Sequence, residues 1–125
     1  MPEQRAKAHH RNRVIGTLRD EIAIMIEGEL SDPRIGLCHV TEVVLAPGGK
    51  SARVFISVEG DEDTELSTRE GLMAARTYIR SEVRDRMGVR QIPELTFVID
   101  RSEKLTARVD ELLTRTRKRE RKAGQ

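Results

Sequence analysis

Arg76, Arg80 and Arg84 recur every four residues, which places three guanidiniums along one side of a helix. Arg69, seven residues before Arg76, extends the row, and Arg90 follows it. A second basic cluster closes the chain, with Arg115, Arg117, Lys118 and Arg119 within residues 114–125. Guanidinium and ammonium groups in rows are phosphate-binding chemistry, because a polyanionic backbone offers regularly spaced charges. The bland alternative is a solvated helix face, in which Glu70, Glu82 and Asp85 pair locally at ~0–1 kcal/mol per pair.

Other reactive residue types do not assemble into a catalytic pattern. His9 and His10 fall in a polar N-terminus, and His39 neighbours Cys38 within a strand pattern, so their side chains point to opposite faces. Neither arrangement has metal-ligand spacing. The carboxylates of residues 60–65 lack a calcium-loop pattern, and Gly48-Gly49-Lys50 is not a phosphate-loop motif. No catalytic residue, metal, cofactor or small-molecule substrate is expected. The single cysteine, Cys38, reads as a small core residue in a reducing compartment.

Charge is unevenly spread over the 125 residues, whose net is +2. Residues 1–13 carry +3 and residues 114–125 carry +5, against −6 for residues 14–113. Basic ends on a mildly acidic body suit an anionic polymer. No run approaches a membrane span and the N-terminus is not a secretory signal, so a cytoplasmic protein is expected.

The elements that must position these residues follow from periodicity. Val14, Ile15, Leu18, Ile22, Met25 and Ile26 predict an amphipathic helix ending near Leu30, before the turn Ser31-Asp32-Pro33-Arg34. Residues 37–45 and 51–59 read as strands, joined by Ala46-Pro47-Gly48-Gly49-Lys50 into an antiparallel hairpin. Residues 60–63 read as an acidic loop, and Ser67 with Glu70 as a capping box opening a second helix. Leu72, Ala75, Ile79 and Val83 form its buried stripe, and Gly88 ends it. Pro93 precedes a strand in which Leu95, Phe97 and Ile99 alternate. Leu105, Val109, Leu112 and Leu113 mark a last short helix.

The predicted architecture is α+β, in the order helix, strand, strand, helix, strand, helix, with a three-stranded mixed sheet covered on one face by helices. Residues 1–12 form a partly flexible basic arm, residues 13–113 the domain, and residues 114–125 a disordered basic tail. Phe55, Tyr78 and Phe97 are the only aromatics, too few for a base-stacking platform.

Several segments together resemble one family: Ser31-Asp32-Pro33-Arg34-Ile35-Gly36, residues 52–58, residues 78–83, Arg90-Gln91-Ile92-Pro93-Glu94-Leu95-Thr96-Phe97 and residues 108–113. In order and spacing they are similar to bacterial ribosome-binding factor A. The resemblance implies a type II KH-like domain, acting as a monomer, that binds the 30S subunit and its 16S rRNA. It implies an assembly factor, not an enzyme, that assists late 16S rRNA maturation at the 5′ end and matters for growth in the cold. It also implies a helix kink at Ala75-Arg76-Thr77, where the family carries Ala-x-Gly. Thr77 stands at the glycine position, and a β-branched residue suits a positive φ poorly. Either the helix bends less there, or the Thr77 hydroxyl bonds back one turn and bends it. A competing reading is a module that docks on protein partners through its acidic body and basic ends. On the RNA reading, reversing Arg76 and Arg80 weakens binding and leaves the fold intact.

Overall fold

A computed structural model describes the backbone of residues 2–123 and the side chains of residues 12–122. Helix α1 runs Pro2–Ile24 and passes into a π-helical turn, Met25–Glu29. Strands β1 (Cys38–Leu45) and β2 (Ser51–Val58) follow, then helix α2 (Glu62–Met87), strand β3 (Glu94–Ile99) and helix α3 (Ser102–Ala123). The strand order is β1-β2-β3, with β1 antiparallel and β3 parallel to β2. The mixed three-stranded α+β architecture read from the sequence is therefore the one observed.

The apolar sides of α1 and α2 close over one face of the sheet. Leu18, Ile22 and Met25 meet Leu72, Ile79 and Val83 above Val54, Ile56, Val58, Leu95 and Phe97. The alternation in β2 and β3 follows directly, since successive side chains point to opposite faces. Cys38 lies in this core, and burial pushes its thiol up to about 11. The π-helical turn is a feature the periodicity did not disclose. It closes through the Leu30 N–H donating to the Met25 carbonyl at 3.1 Å, one residue wider than an α turn.

Three boundaries differ from the sequence expectation. First, α2 begins at Glu62 and not near Ser67. Asp61 caps it, its carboxylate accepting from the Thr64 N–H at 2.9 Å and the Thr64 hydroxyl at 2.8 Å. Glu62, Asp63 and Glu65 in the first turn complement the helix dipole, so the acidic "loop" is the start of the helix. Ser67 does not cap. Its hydroxyl donates to the Arg34 carbonyl at 3.0 Å, while Thr68 accepts from the Gly36 N–H at 3.0 Å. These bonds hold the 31–36 loop so close to α2 that a Cβ on Gly71 would lie 2.7 Å from Ile35.

Second, α2 is helical without interruption through Ala75, Arg76 and Thr77, where the resemblance implied a kinked helix. No described non-glycine residue has positive φ, so Thr77 keeps ordinary helical geometry, as its branched Cβ requires. Gly88 does end the helix, at φ +66°.

Third, α1 reaches back through residues 2–12, and α3 continues to Ala123 across most of the stretch expected to be disordered. Arg, Lys, Glu and Leu are strong helix formers, and Arg115 pairs with Glu111 at 2.6 Å, one turn away. The side chains of His9 and His10 lie outside the described residues, as do Gly124 and Gln125. Only the root of α3 is fastened to the domain; Leu105, Val109, Leu112 and Leu113 remain exposed.

Candidate nucleic-acid interface

The described surface carries an open pocket of about 820 Å³ at the start of β3. Three segments wall it. The β1–β2 turn supplies Gly48, Gly49 and Lys50, the second half of α2 supplies Thr77, Arg80, Ser81 and Arg84, and the α2–β3 loop supplies residues 90–93. Four of these residues are cationic and none is a carboxylate. Gly48 and Gly49 have φ of +87° and +72°, which lets the turn fold tightly beside the opening. The turn is tied to β3 by the Glu94 N–H, which donates to the Lys50 carbonyl at 2.9 Å. Lys50, Arg84, Arg90 and Gln91 are exposed, and Ile92 is buried at the floor.

The arginines of the helix row do not share one role. Strand β3 is a sheet edge, and its Glu94 and Asp100 N–H groups point toward β2. The carbonyls of Pro93 and Phe97, of opposite parity, therefore point to the open side. Arg80 Nε donates to the Pro93 carbonyl at 3.1 Å, and its Nη2 donates to the Ile92 carbonyl at 2.9 Å. Arg69 Nε donates to the Phe97 carbonyl at 3.0 Å. Both arginines thus fasten α2 to an exposed strand edge, the kind of edge that otherwise invites pairing with another chain. Arg84 stands free of such duty, with Asp85 at 3.9 Å as its recorded ion partner. Arg76 is exposed and does not line the pocket.

Arg115, Arg117, Lys118 and Arg119 lie on the exposed length of α3. The sequence thus supplied Arg80, Arg84 and Arg90 of the pocket and missed Lys50, Gly48, Gly49, Ser81 and Gln91. Lys50 follows a glycine pair that reads as turn chemistry alone; only the parallel β2–β3 pairing brings that turn beside Arg90.

The division of labour has a measurable consequence. Arg80→Ala is expected to lower unfolding free energy by about 1–2 kcal/mol, because two carbonyls lose charged donors. Arg84→Ala should stay within about 0.5 kcal/mol of the parent. Urea unfolding of the two variants checks this, and equal midpoints would contradict the structural role of Arg80. Because Arg80 makes these two bonds, a reversal of Arg76 and Arg80 is expected to carry a stability cost through Arg80 besides its effect on binding.

Among the described residues no group of three or more His, Cys, Asp and Glu side chains could hold a metal ion. No helix among them is long and apolar enough to cross a membrane.

Comparison with known proteins agrees with this architecture. The family model described as ribosome-binding factor A matches residues 10–113. Ribosome-binding factor A of Koribacter versatilis is 52% identical over 117 residues, covering 94% of this chain and 95% of that protein. The factor of Thermomicrobium roseum is 38% identical over 106 residues, covering 85% and 82%. The crystal structure of ribosome-binding factor A from Thermus thermophilus superposes with a TM-score of 0.64 at 24% identity, over 73% of this chain and 96% of that one. A homology model of the Thermus thermophilus factor, fitted into a cryo-EM map of its complex with 30S, superposes with a TM-score of 0.59 at 25% identity, over 71% and 93%. With a family model spanning residues 10–113 and a relative sharing half its residues end to end, this chain belongs to the ribosome-binding factor A family.

Proposed function

We propose that the chain binds the 30S subunit through its 16S rRNA and assists late maturation of that RNA, including its 5′ end, by occupancy and not by catalysis. The observation that carries the RNA contact is the carboxylate-free pocket into which Lys50, Arg80, Arg84 and Arg90 converge from three segments. Four cations around one concavity whose lining holds no carboxylate make a local positive potential that attracts phosphate. Family membership and the relative fitted to a 30S map support the choice of the small subunit as the partner. The exposed basic residues of α3 add affinity that is independent of sequence and sensitive to salt.

Within this reading the residues divide. Lys50, Arg84 and Arg90 contact phosphate, Arg80 holds the pocket wall while lending its charge, and Arg69 is structural. Co-sedimentation with purified 30S particles tests it. Arg84→Glu combined with Arg90→Glu should weaken association at least about tenfold, since each contact is worth on the order of 1 kcal/mol. Unchanged association at matched salt, with an unaltered unfolding curve, would overturn the assignment.

A further inference from the structure

We infer that the apolar stripe of α3 is a docking face for an acidic amphipathic helix of a protein partner. This face is separate from the basic pocket, and its occupant is a different class of molecule.

The first observation is direction. Leu105, Val109, Leu112 and Leu113 are between 46% and 65% exposed. At about 100° per residue they share an arc of about 100° on one side of α3. Glu103 and Lys104 are the first-turn residues that hold the helix to the domain. Glu103 lies 3.0 Å from His39 Nε2 and accepts from the Ser57 hydroxyl at 3.3 Å. Lys104 Nζ donates to Glu65 at 3.0 Å and to the Gly60 carbonyl at 2.9 Å. Each lies about 130° round the helix from the middle of the stripe, one to either side. The stripe therefore points away from the domain that carries it, and the domain's own sheet cannot cover it while these bonds hold. The apolar stripe of a surface helix ordinarily faces a core, and an exposed one marks an interaction face.

The second observation is charge. Arg108, Arg115 and Arg119 fall together along the Leu112 edge of the stripe. All three are exposed, and among the described residues only Arg115 pairs, with Glu111 at 2.6 Å. Their stems widen the apolar surface and their guanidiniums call for carboxylates beside it. Lys118 and Arg121 project from the opposite side of the helix, so α3 can meet RNA and the partner at once.

These two features select the occupant. RNA would use the cations but not the aliphatic stripe, and α3 carries no aromatic residue for stacking. A second copy fits poorly, because an antiparallel pair of α3 helices would set the same arginine edge of each against the other. A partner helix with an apolar side and acidic residues along one edge satisfies both the stripe and the arginines. The root of α3 is already clasped on two sides, which keeps the ordering cost of docking low.

The test is photo-crosslinking in the native cell, with the full chain carrying Leu112→p-benzoylphenylalanine and, as control, Thr114→p-benzoylphenylalanine on the far side of α3. The expected product at position 112 is a protein adduct whose cross-linked segment, read by mass spectrometry, is an amphipathic helix of net negative charge. Position 114 should give at least about tenfold less of it, and so should position 112 in the background Arg108→Glu, Arg115→Glu, Arg119→Glu. Should that background unfold α3, the charges are exchanged on the other side. A synthetic peptide of the captured segment should bind the parent chain, and the same peptide with its acidic residues changed to Lys should bind at least about tenfold more weakly. An adduct with RNA, lipid or a second copy of this chain would overturn the inference. So would a protein segment lacking an acidic amphipathic helix, equal yields at the two positions, or no adduct at position 112.

Discussion

Arg101→Ala combined with Lys104→Ala is expected to cost about 3 kcal/mol of stability at neutral pH, the lower end for breaking a buried ion pair. The cause is Glu65, which is only 3% exposed in the first turns of α2. Its two oxygens meet Arg101 Nη2 at 2.9 Å and Lys104 Nζ at 3.0 Å, and Lys104 also donates to the Gly60 carbonyl at 2.9 Å. Arg101 and Lys104 are themselves 57% and 37% exposed in their side chains, so removing Glu65 lets both return to water. Removing the cations instead strands a carboxylate in the protein. Glu65→Gln should therefore cost less than the double alanine variant.

The pH dependence follows from the same contacts. Burial pushes the Glu65 carboxyl up, but the hydrogen bonds and charges of Lys104 and Arg101 outweigh it and hold the group below its ordinary value of 4.5. A depressed carboxylate stabilises the fold above its unfolded pKa, and that contribution is lost as pH falls through the folded value. In the double variant only burial remains, so Glu65 takes up a proton at milder acidity and ceases to be a buried charge. The difference between parent and variant should be greatest near pH 7 and shrink as pH falls toward about 4. Guanidinium unfolding at several pH values reads this directly; a difference independent of pH would exclude Glu65 as its source.

Most of the fold was legible because it rests on periodicity. The β2 alternation Ala52, Val54, Ile56, Val58 is buried as its spacing demanded, as is the α2 stripe Leu72, Ile79, Val83, with Ala75 half-buried at its edge. Helix starts were less legible. Ser67-x-x-Glu70 has the form of a capping box, but Asp61 lies earlier and offers a charged acceptor to Thr64, so the helix begins there and Ser67 is released to hold the 31–36 loop. The tail's charge suggested disorder, while the Glu111–Arg115 spacing and strong helix formers favour the helix that α3 forms to Ala123.

The site was half legible. A row of arginines at four-residue spacing can be seen in any sequence, but its spacing does not say which member faces an unpaired strand edge. Arg80 and Arg69 lie on the side of α2 turned to β3, where outward carbonyls need donors; Arg84, one turn beyond Arg80, clears the end of the strand. Lys50 was hidden because its position depends on a parallel pairing between residues 51 and 94, far apart in sequence.

At about 100 mM salt, the variant Lys50→Gln, Arg84→Gln, Arg90→Gln is expected to bind 30S particles roughly a hundredfold more weakly, from three contacts of about 1 kcal/mol each. The more discriminating quantity is the salt slope. Each phosphate contact with an unpaired strand contributes about 0.7 to the slope of log affinity against log salt, so losing three should flatten it by about 2. Raising salt from 50 to 200 mM should then cost the parent on the order of sixteenfold more affinity than it costs the variant. Neutralising Arg115, Arg117, Lys118 and Arg119 on α3 should also flatten the slope, because any charge near RNA releases counterions. It should do so for single-stranded and duplex RNA alike, by about 0.7 and about 0.9 per lost contact, since nothing in that exposed helix shapes a cavity. A pocket variant that keeps the parental slope would mean that Lys50, Arg84 and Arg90 do not meet phosphate, whatever its effect on affinity.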